Sequence, residues 1–458
     1  MNYLLTTALV QSLVPQTAHM STLQCYNSSV PFYSCPRKEK STYLDYVETE
    51  IAKMCDIPDP LFHPKYNYEQ IPGVDSVDFI VVGSGAAGAV VASRLSEVSR
   101  WTVALIEAGG PEPVGTQAPS MYFSYNESPI DWSVPLKPMT TACLGKTCKY
   151  PRGKVMGGTT VLNGLMYCRG DGSDYDKYET LGGEGWGYKD VLPYFLKSEH
   201  NIQYEASRNH AKGGLLTVSY YNDLPNLGHI ILAAGAELGY PTDVDIGHGE
   251  LREGFYRAQM TTRNGARLST AKAFIRPFLD KRQNLKILMH AQVTRVLLNA
   301  QKAAIGVEYV KNNQTHILRA TREVILSAGT IHSPVILMHS GIGPAEHLKE
   351  KGIPVRVPLA GVGKNLRNHV SYQLKVDLLG SDGRNQLNNQ SLATYVHFAR
   401  GPMSSTGLSQ IGAMIAPNHE KVPNLQIFFS GLQASSLKLV PLMRPMIITD
   451  TWESVRRF

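Results

Sequence analysis

The stretch "VDFIVVGSGAAGAVVASRL", residues 77–95, decides the fold. Val77 to Val82 is an unbroken apolar run of strand length. Glycines follow at 83, 85 and 88, and from Ala86 to Leu95 small and apolar residues recur at helical spacing. Next comes "WTVALIEAGG", residues 101–110, which reads as a second strand ending in Glu107 and a glycine turn. Strand, glycine-rich turn, helix, strand is the βαβ unit of a nucleotide-binding fold. In such a unit Gly83 permits the tight turn, Gly85 lets the backbone approach a pyrophosphate, and Gly88 lets helix and strand pack closely. The helix N-terminus adds unpaired N–H groups and a partial positive charge. Glu107 stands where a carboxylate can accept hydrogen bonds from a ribose diol, and an acid there argues against a ribose 2′-phosphate, hence against NADP. The alternative is a glycine-rich turn with a purely structural role. The strand before it, the helix after it and the acid beyond favour the cradle.

The chain has 458 residues, more than one hydrophobic core usually supports, so two domains are expected, interleaved in sequence. With 43% hydrophobic and 18% charged residues the composition is that of an ordinary globular protein. A formal charge of +7 is modest for this length and the basic residues are scattered, which argues against nucleic acid as a partner. No apolar stretch is long enough to span a bilayer. "LLTTALVQSLV", Leu4 to Val14, suits the apolar part of a secretory signal or an ordinary frayed terminus, since no Lys or Arg precedes Arg37. The six cysteines fit neither a disulfide scaffold nor a zinc spacing, so no metal is expected. Cys143 and Cys148 are close enough to bridge a loop in an oxidising compartment, or they are reduced thiols. Asn-x-Ser/Thr sequons at Asn27, Asn126, Asn313 and Asn389 fit secretion but occur about as often by chance. The expected location is extracellular, with the cytoplasm as the alternative.

"YLDYVETEIAKMC" predicts a short helix ahead of the first strand. "YKDVLPYFLKSE" and "LGHIILAAGAELG" predict amphipathic helices of a second domain. "NLKILMH", "VTRVLLN", "AAIGVEYV" and "REVILSAG" read as sheet, and "PNLQIFFSG", Pro423 to Gly431, as a further strand. "YPRGKVMGGTTVLNGLMYCRG", residues 150–170, holds a second glycine-rich turn. Its backbone N–H groups, the Thr159 and Thr160 hydroxyls and the Asn163 amide can lie along a cofactor; by itself it is equally an ordinary glycine loop.

That turn, continued by "DYDKYETLGGEGWGYKDVLPYFLKSE", resembles the first signature region of the glucose-methanol-choline (GMC) oxidoreductases, on the insect glucose dehydrogenase-like branch. "GTIHSPVILMHSGIGP", residues 329–344, resembles the second signature and "GVGKNLRNHV" its continuation. "GFYRAQMTTRNGARLSTAKAFIRP" is similar to the segment that returns to the cofactor domain. The sequence departs from the family pattern at Tyr178, where Trp is usual, at "GGEGW", at "NHAKGG" and at Asn368 in place of Asp.

The resemblance implies an α/β fold, with a Rossmann-like FAD-binding domain interleaved with an α+β substrate domain. After an N-terminal signal or tail and lead-in helix over residues 1–74, the FAD domain would comprise 75–175 and 255–370, and the substrate domain 176–254 and 371–458. It implies FAD as cofactor, an alcohol or sugar as small-molecule substrate, and oxidation of CH–OH to a carbonyl with hydride passing to the flavin. Carried over by motif, Gly83, Ser84, Gly85 and Gly88 would face the pyrophosphate and Glu107 the adenosine ribose. Val155, Gly157, Gly158, Thr159, Thr160 and Asn163 would line the cofactor toward its flavin end, and the Val293 backbone would contact adenine. The family's base lies late in the chain, in His-Pro-x-Gly-Thr and Gly-Asn-Thr-Asn type segments. Neither occurs here, so a chain cut short at its C-terminus is expected and no catalytic residue is assigned. His332 and His339 fall on the helix of the second signature, and His369 is read as structural. A non-catalytic FAD-binding or interaction protein built on the same scaffold is the alternative.

Overall fold

A computed structural model describes residues 42–52, 75–138, 147–374, 387–418, 421–429 and 446–449. The helices used below are α1 (Thr42–Ala52), α2 (Ala86–Leu95), α3 (Gly172–Thr180), α4 (Tyr188–Ser198), α5 (Asn226–Glu237), α6 (Gly329–His339) and α7 (Asn389–Phe398). The strands are β1 (Ser76–Val82), β2 (Val103–Ile106), β3 (Gly254–Arg257), β4 (Leu285–Leu288), β5 (Gln292–Leu298) and β6 (Ala304–Lys311), then β7 (Gln314–Leu326), β8 (Val370–Gln373), β9 (Ile411–Ile415), β10 (Leu425–Phe428) and β11 (Met446–Thr449).

Two sheets organise the molecule. The first has the order β4-β2-β1-β7-β6-β5. Its β4, β2, β1 and the second half of β7 run parallel, whereas the first half of β7, β6 and β5 form an antiparallel meander. The parallel strands are apolar throughout because both faces are covered. On β1, Phe79 and Val81 pack with Ala89 and Ala92 of α2 and with Phe274 and Ile275. Val77, Ile80 and Val82 pack on the opposite face with Val293, Val307 and Ile336 of α6. The β1–β7 register shifts between Val77 and Phe79, where β7 carries one extra residue. From β1 the chain moves outward to β2 and β4 on one side and returns as β7 on the other. The carboxyl end of β1 is therefore the topological switch point, where open α/β sheets bind ligands.

The second sheet is antiparallel, in the order β8-β11-β10-β9-β3. The expected domain boundary at 254/255 falls inside β3, whose four residues pair with β9. "GFYR" is too short an alternation to announce which sheet it joins. The run "REVILSAG" is only the end of the 13-residue β7. The predicted helices over 43–55, 188–199 and 227–239 are α1, α4 and α5, and the strand predicted within 423–431 is β10. Leu44, Val47 and Ile51 of α1 pack with Tyr125, Val155 and Tyr395, which ties the lead-in helix to both the second glycine turn and α7.

Candidate functional site

The switch point is built by two glycine turns pressed together. Gly83 leaves β1 at φ +93°, and a Cβ there would stand 2.6 Å from the Ser327 carbonyl oxygen at the end of β7. At Gly88 a Cβ would meet the Gly83 carbonyl oxygen at 1.8 Å, so α2 can reach β1 only with glycine at that position. Gly85 is different. Its φ of −68° suits any residue, and a Cβ would find nothing nearer than the Gly158 Cα at 3.9 Å. Gly85 is also the N-cap of α2, and its lack of a side chain leaves the helix without a side-chain cap. Neither backbone conformation nor neighbouring protein atoms call for glycine here, so the open space suits a group brought in from outside.

Ser84 joins the two turns to Glu107. Its hydroxyl donates to Glu107 Oε2 at 2.6 Å and its backbone N–H donates to the same oxygen at 3.0 Å. The Gly157 N–H donates to the Ser84 hydroxyl at 3.1 Å, and the Gly109 N–H to Glu107 Oε1 at 2.9 Å. Glu107 is buried, and desolvation pushes its carboxyl above the ordinary range while these bonds pull against the shift. The Ala291 N–H donates to the Glu107 carbonyl at 3.0 Å, which brings the start of β5, with buried Val293, to the end of β2.

The second turn places Gly157 and Gly158 at φ +95° and +56°, a conformation that favours glycine, and a Cβ on Gly158 would reach the Gly85 Cα at 2.7 Å. Buried Val155 bridges to Gly110. The hydroxyls expected to face a cofactor also hold the turn itself. Thr159 accepts from the Gly153 N–H at 3.1 Å, and Thr160 donates to the Gly157 carbonyl at 2.6 Å while accepting from the Thr270 N–H at 3.2 Å. Asn163 is exposed, and its side-chain oxygen accepts from the Leu165 N–H and from Arg267.

Arg267 was not among the residues singled out from the sequence. Its buried guanidinium donates to the carbonyls of Thr116, Thr160 and Asn163, which fixes the second turn from beneath. Burial pulls it down to about 10. Nearby, Arg276 pairs with Glu112 at 2.6 Å and Lys272 is buried. The signal was present: Arg267, Lys272 and Arg276 are three cations in a stretch otherwise made of small and apolar residues. Of the histidines weighed, His332 packs its ring 4.2 Å from that of Trp132, while His339 and His369 are exposed.

A second polar constellation, absent from the sequence reading, lies beside α4. Glu199 is fully buried and pairs with Arg169 at 3.2 Å, while His210 is held between Glu199 at 3.2 Å and Asp245 at 2.7 Å. Asn201 Nδ2 lies 3.3 Å from His210 Nδ1, and the rings of Tyr204, tilted at 4.8 Å, and His248, 6.4 Å away, flank the imidazole. Burial alone would lower His210, but the bonds to Asp245 and Glu199 outweigh it and push the imidazole up from 6.5 to about 9. Asp245 and Glu199 are each held below the ordinary carboxylate value, the hydrogen bonds from His210 and neighbouring groups outweighing burial. The folded imidazole keeps its proton to higher pH than the unfolded chain does. Its contribution to stability is therefore complete below pH 6.5 and is lost as pH rises through about 9. Urea titrations across that window are expected to show the midpoint falling with pH, and falling less in His210→Gln. An equal fall in both chains would remove His210 as the cause.

A cleft of about 730 Å³ opens elsewhere, lined by residues such as His200, Gln203, Tyr220 and Arg263; none of the residues expected to hold a cofactor lines it. Among the described residues no group of His, Cys, Asp and Glu could hold a metal ion, and no helix is long and apolar enough to cross a membrane.

The profile of the GMC oxidoreductases matches residues 77–371, the span that contains both glycine turns and the first sheet from Val77 onward. The chain belongs to the GMC oxidoreductase family. GMC oxidoreductases are FAD-dependent enzymes acting on alcohols and sugars. A relative, "Glucose dehydrogenase [FAD, quinone]" of Drosophila melanogaster, is 43% identical over 403 residues, covering 86% of this chain and 64% of the relative. The oxygen-dependent choline dehydrogenase of Brucella anthropi is 39% identical over 300 residues, covering 65% of this chain and 54% of that one. This GMC chain thus spans under two thirds of the length of these curated relatives. Among solved structures, pyridoxine 4-oxidase superposes with a TM-score of 0.68 at 24% identity, covering 81% of this chain and 71% of that one. Formate oxidase of Aspergillus oryzae superposes with a TM-score of 0.70 at 23% identity, covering 82% and 73%. At that identity the two structures establish the shared GMC fold alone.

Proposed function

We propose that this chain holds FAD at the junction of its two glycine turns and serves a GMC oxidoreductase that converts an alcohol or sugar CH–OH to a carbonyl. The observation that carries the reading is Gly85, a glycine that the protein's own packing and backbone do not require, at the open end of α2. The N–H groups of that helix end would take the pyrophosphate. Glu107, next to it through Ser84, would accept from the ribose diol, with Val293 beside the adenine. Val155, Gly157, Gly158, Thr159, Thr160 and Asn163 would flank the rest of the cofactor, and Arg267 would keep that turn in place. Bound there, the flavin supplies a two-electron acceptor for hydride from a carbinol carbon. In this reading residues 75–175 and 255–370 form the cofactor domain, and 176–254 with 371–458 the substrate domain, with β3 donated across the boundary.

The named activity of the Drosophila relative makes D-glucose the first substrate to try and a quinone the first acceptor. The purified chain is expected to be yellow, and bleaching of its flavin absorbance by anaerobic D-glucose or a simple alcohol would refute the non-catalytic alternative. A colourless protein that does not take up added FAD would end the cofactor assignment.

Secretion is the location we favour. Cys148 is disulfide-bonded, which suits an oxidising compartment. Cys143, its expected partner, and the apolar stretch from Leu4 to Val14 lie outside the described residues.

A further inference from the structure

The four sequons are equal in sequence and unequal in structure. Asn313 sits at the tip of the hairpin between β6 and β7, where Lys311 pairs with Gln314 across a two-residue turn. Asn312 and Asn313 have φ +52° and +59°, the left-handed pair that a tight right-twisting hairpin demands and that Asn tolerates. Asn312, Asn313, Gln314 and Thr315 are all exposed, so the acceptor amide, the middle residue and the hydroxyl residue of the sequon face solvent together. Ile317, two residues further along the same side of β7 as Thr315, is also exposed.

The other described sequons differ. Asn389 opens α7, and its hydroxyl partner Ser391 is buried. The Ser391 hydroxyl accepts from the Asn388 N–H and donates to the Asn388 carbonyl, both at 2.9 Å, in a closed capping box. Asn126 is half-buried, Ser128 donates its hydroxyl to the Tyr125 carbonyl at 2.6 Å, and Pro129 follows directly. Asn27 lies outside the described residues.

We propose that Asn313 is an N-glycosylation site of this chain, and that Asn389 is not. In the transfer, the Asn313 side-chain nitrogen displaces the pyrophosphate of a lipid-linked oligosaccharide at its anomeric carbon. A C–N bond forms, the sugar–phosphate C–O bond breaks, and the amide proton leaves to the transferring enzyme's base. A bulky polar glycan at a hairpin tip displaces no packed atom. At Asn389 the folded chain needs the same sequon serine in its helix cap.

The inference rests on passage through a secretory compartment, so the test separates the two. The full chain is expressed in insect cells twice, once with its own N-terminus and once behind a heterologous cleavable leader. Total lysate and medium are deglycosylated enzymatically in heavy-oxygen water, and each sequon peptide is scored by mass for the labelled aspartate. With the leader, Asn313 is expected to be labelled in most molecules and Asn389 in almost none, and Thr315→Val is expected to abolish the label at 313. The Val residue suits an exposed strand position and leaves the Asn turn in place. An unlabelled Asn313 behind the leader, or Asn389 labelled to the same extent, would overturn the proposal. Label at 313 that appears only with the leader would uphold the site and overturn native secretion.

Discussion

Gly85→Ser is expected to leave the fold intact and empty it of flavin. Serine is among the best N-cap residues, and Gly85 already has the extended conformation that an N-cap adopts, so the helix itself gains or stays level. The added Cβ meets no protein atom closer than 3.9 Å. What it does meet is the space assigned to the pyrophosphate. The expected result is an unchanged urea midpoint when the flavin-free proteins are compared, together with flavin content after purification and reconstitution reduced by at least about tenfold, the equivalent of roughly 1.4 kcal/mol. Gly88→Ala is the counterpart. Its Cβ would stand 1.8 Å from a backbone oxygen, so β1 and α2 must part. A loss of about 1–3 kcal/mol of stability is expected, because backbone cannot yield as a flexible side chain does. If Gly85→Ser retained its flavin, the cradle would have been assigned to the wrong place, whatever the chain's family.

Arg169→Met is expected to cost the largest amount of stability of any single change away from the cradle, about 3–5 kcal/mol. Both partners of the Arg169–Glu199 pair are fully withdrawn from water, and Arg169 also donates to the Asn209 carbonyl at 2.6 Å and to the Tyr167 hydroxyl at 3.2 Å. Removing the guanidinium leaves Glu199 with His210, Asn201 and the Ala211 N–H, and with a weaker reason to stay ionised. Methionine retains much of the stem's volume, so the loss reports charge rather than a cavity. Chemical unfolding followed by tryptophan fluorescence measures it. The Arg169→Met, Glu199→Gln double change is expected to lose less than the sum of the two single ones, since each removes the same interaction. Strict additivity would mean that the pair is not coupled.

The strand, glycine turn, helix and second strand were legible in the sequence because Gly88 and Glu107 answer to one turn and the next strand, and the helix and strand periods around them are unbroken. The clamp around His210 was not legible for the opposite reason. Arg169, Glu199, His210 and Asp245 come from four separate segments, and nothing in any of them marks a partner in another. The Asn209–His210 dipeptide stands in the sequence only as a departure from a family pattern, although its imidazole is held by two carboxylates. The extra cations at 267, 272 and 276 form an intermediate case. Their spacing in an apolar stretch was visible, but only the fold shows that Arg267 serves the second glycine turn. β3 straddles the expected boundary at 254/255, and its four residues carry no periodicity by which to choose a sheet.

The long strand β7 sets an order of events for the growing chain. β1 is complete at Val82, yet its neighbour on one side is the far half of β7, with Asp78 and Thr321 joined across a separation of 243 residues. The ribosome delivers about 5–20 residues per second. The first glycine turn thus waits on the order of tens of seconds for Ser327 to arrive and close against it. Throughout that interval one edge of β1 has no partner and invites pairing with another chain. The junction of the two glycine turns is therefore a late product of synthesis, and overexpressed chains are most exposed to aggregation before residue 326 emerges, not after folding is complete.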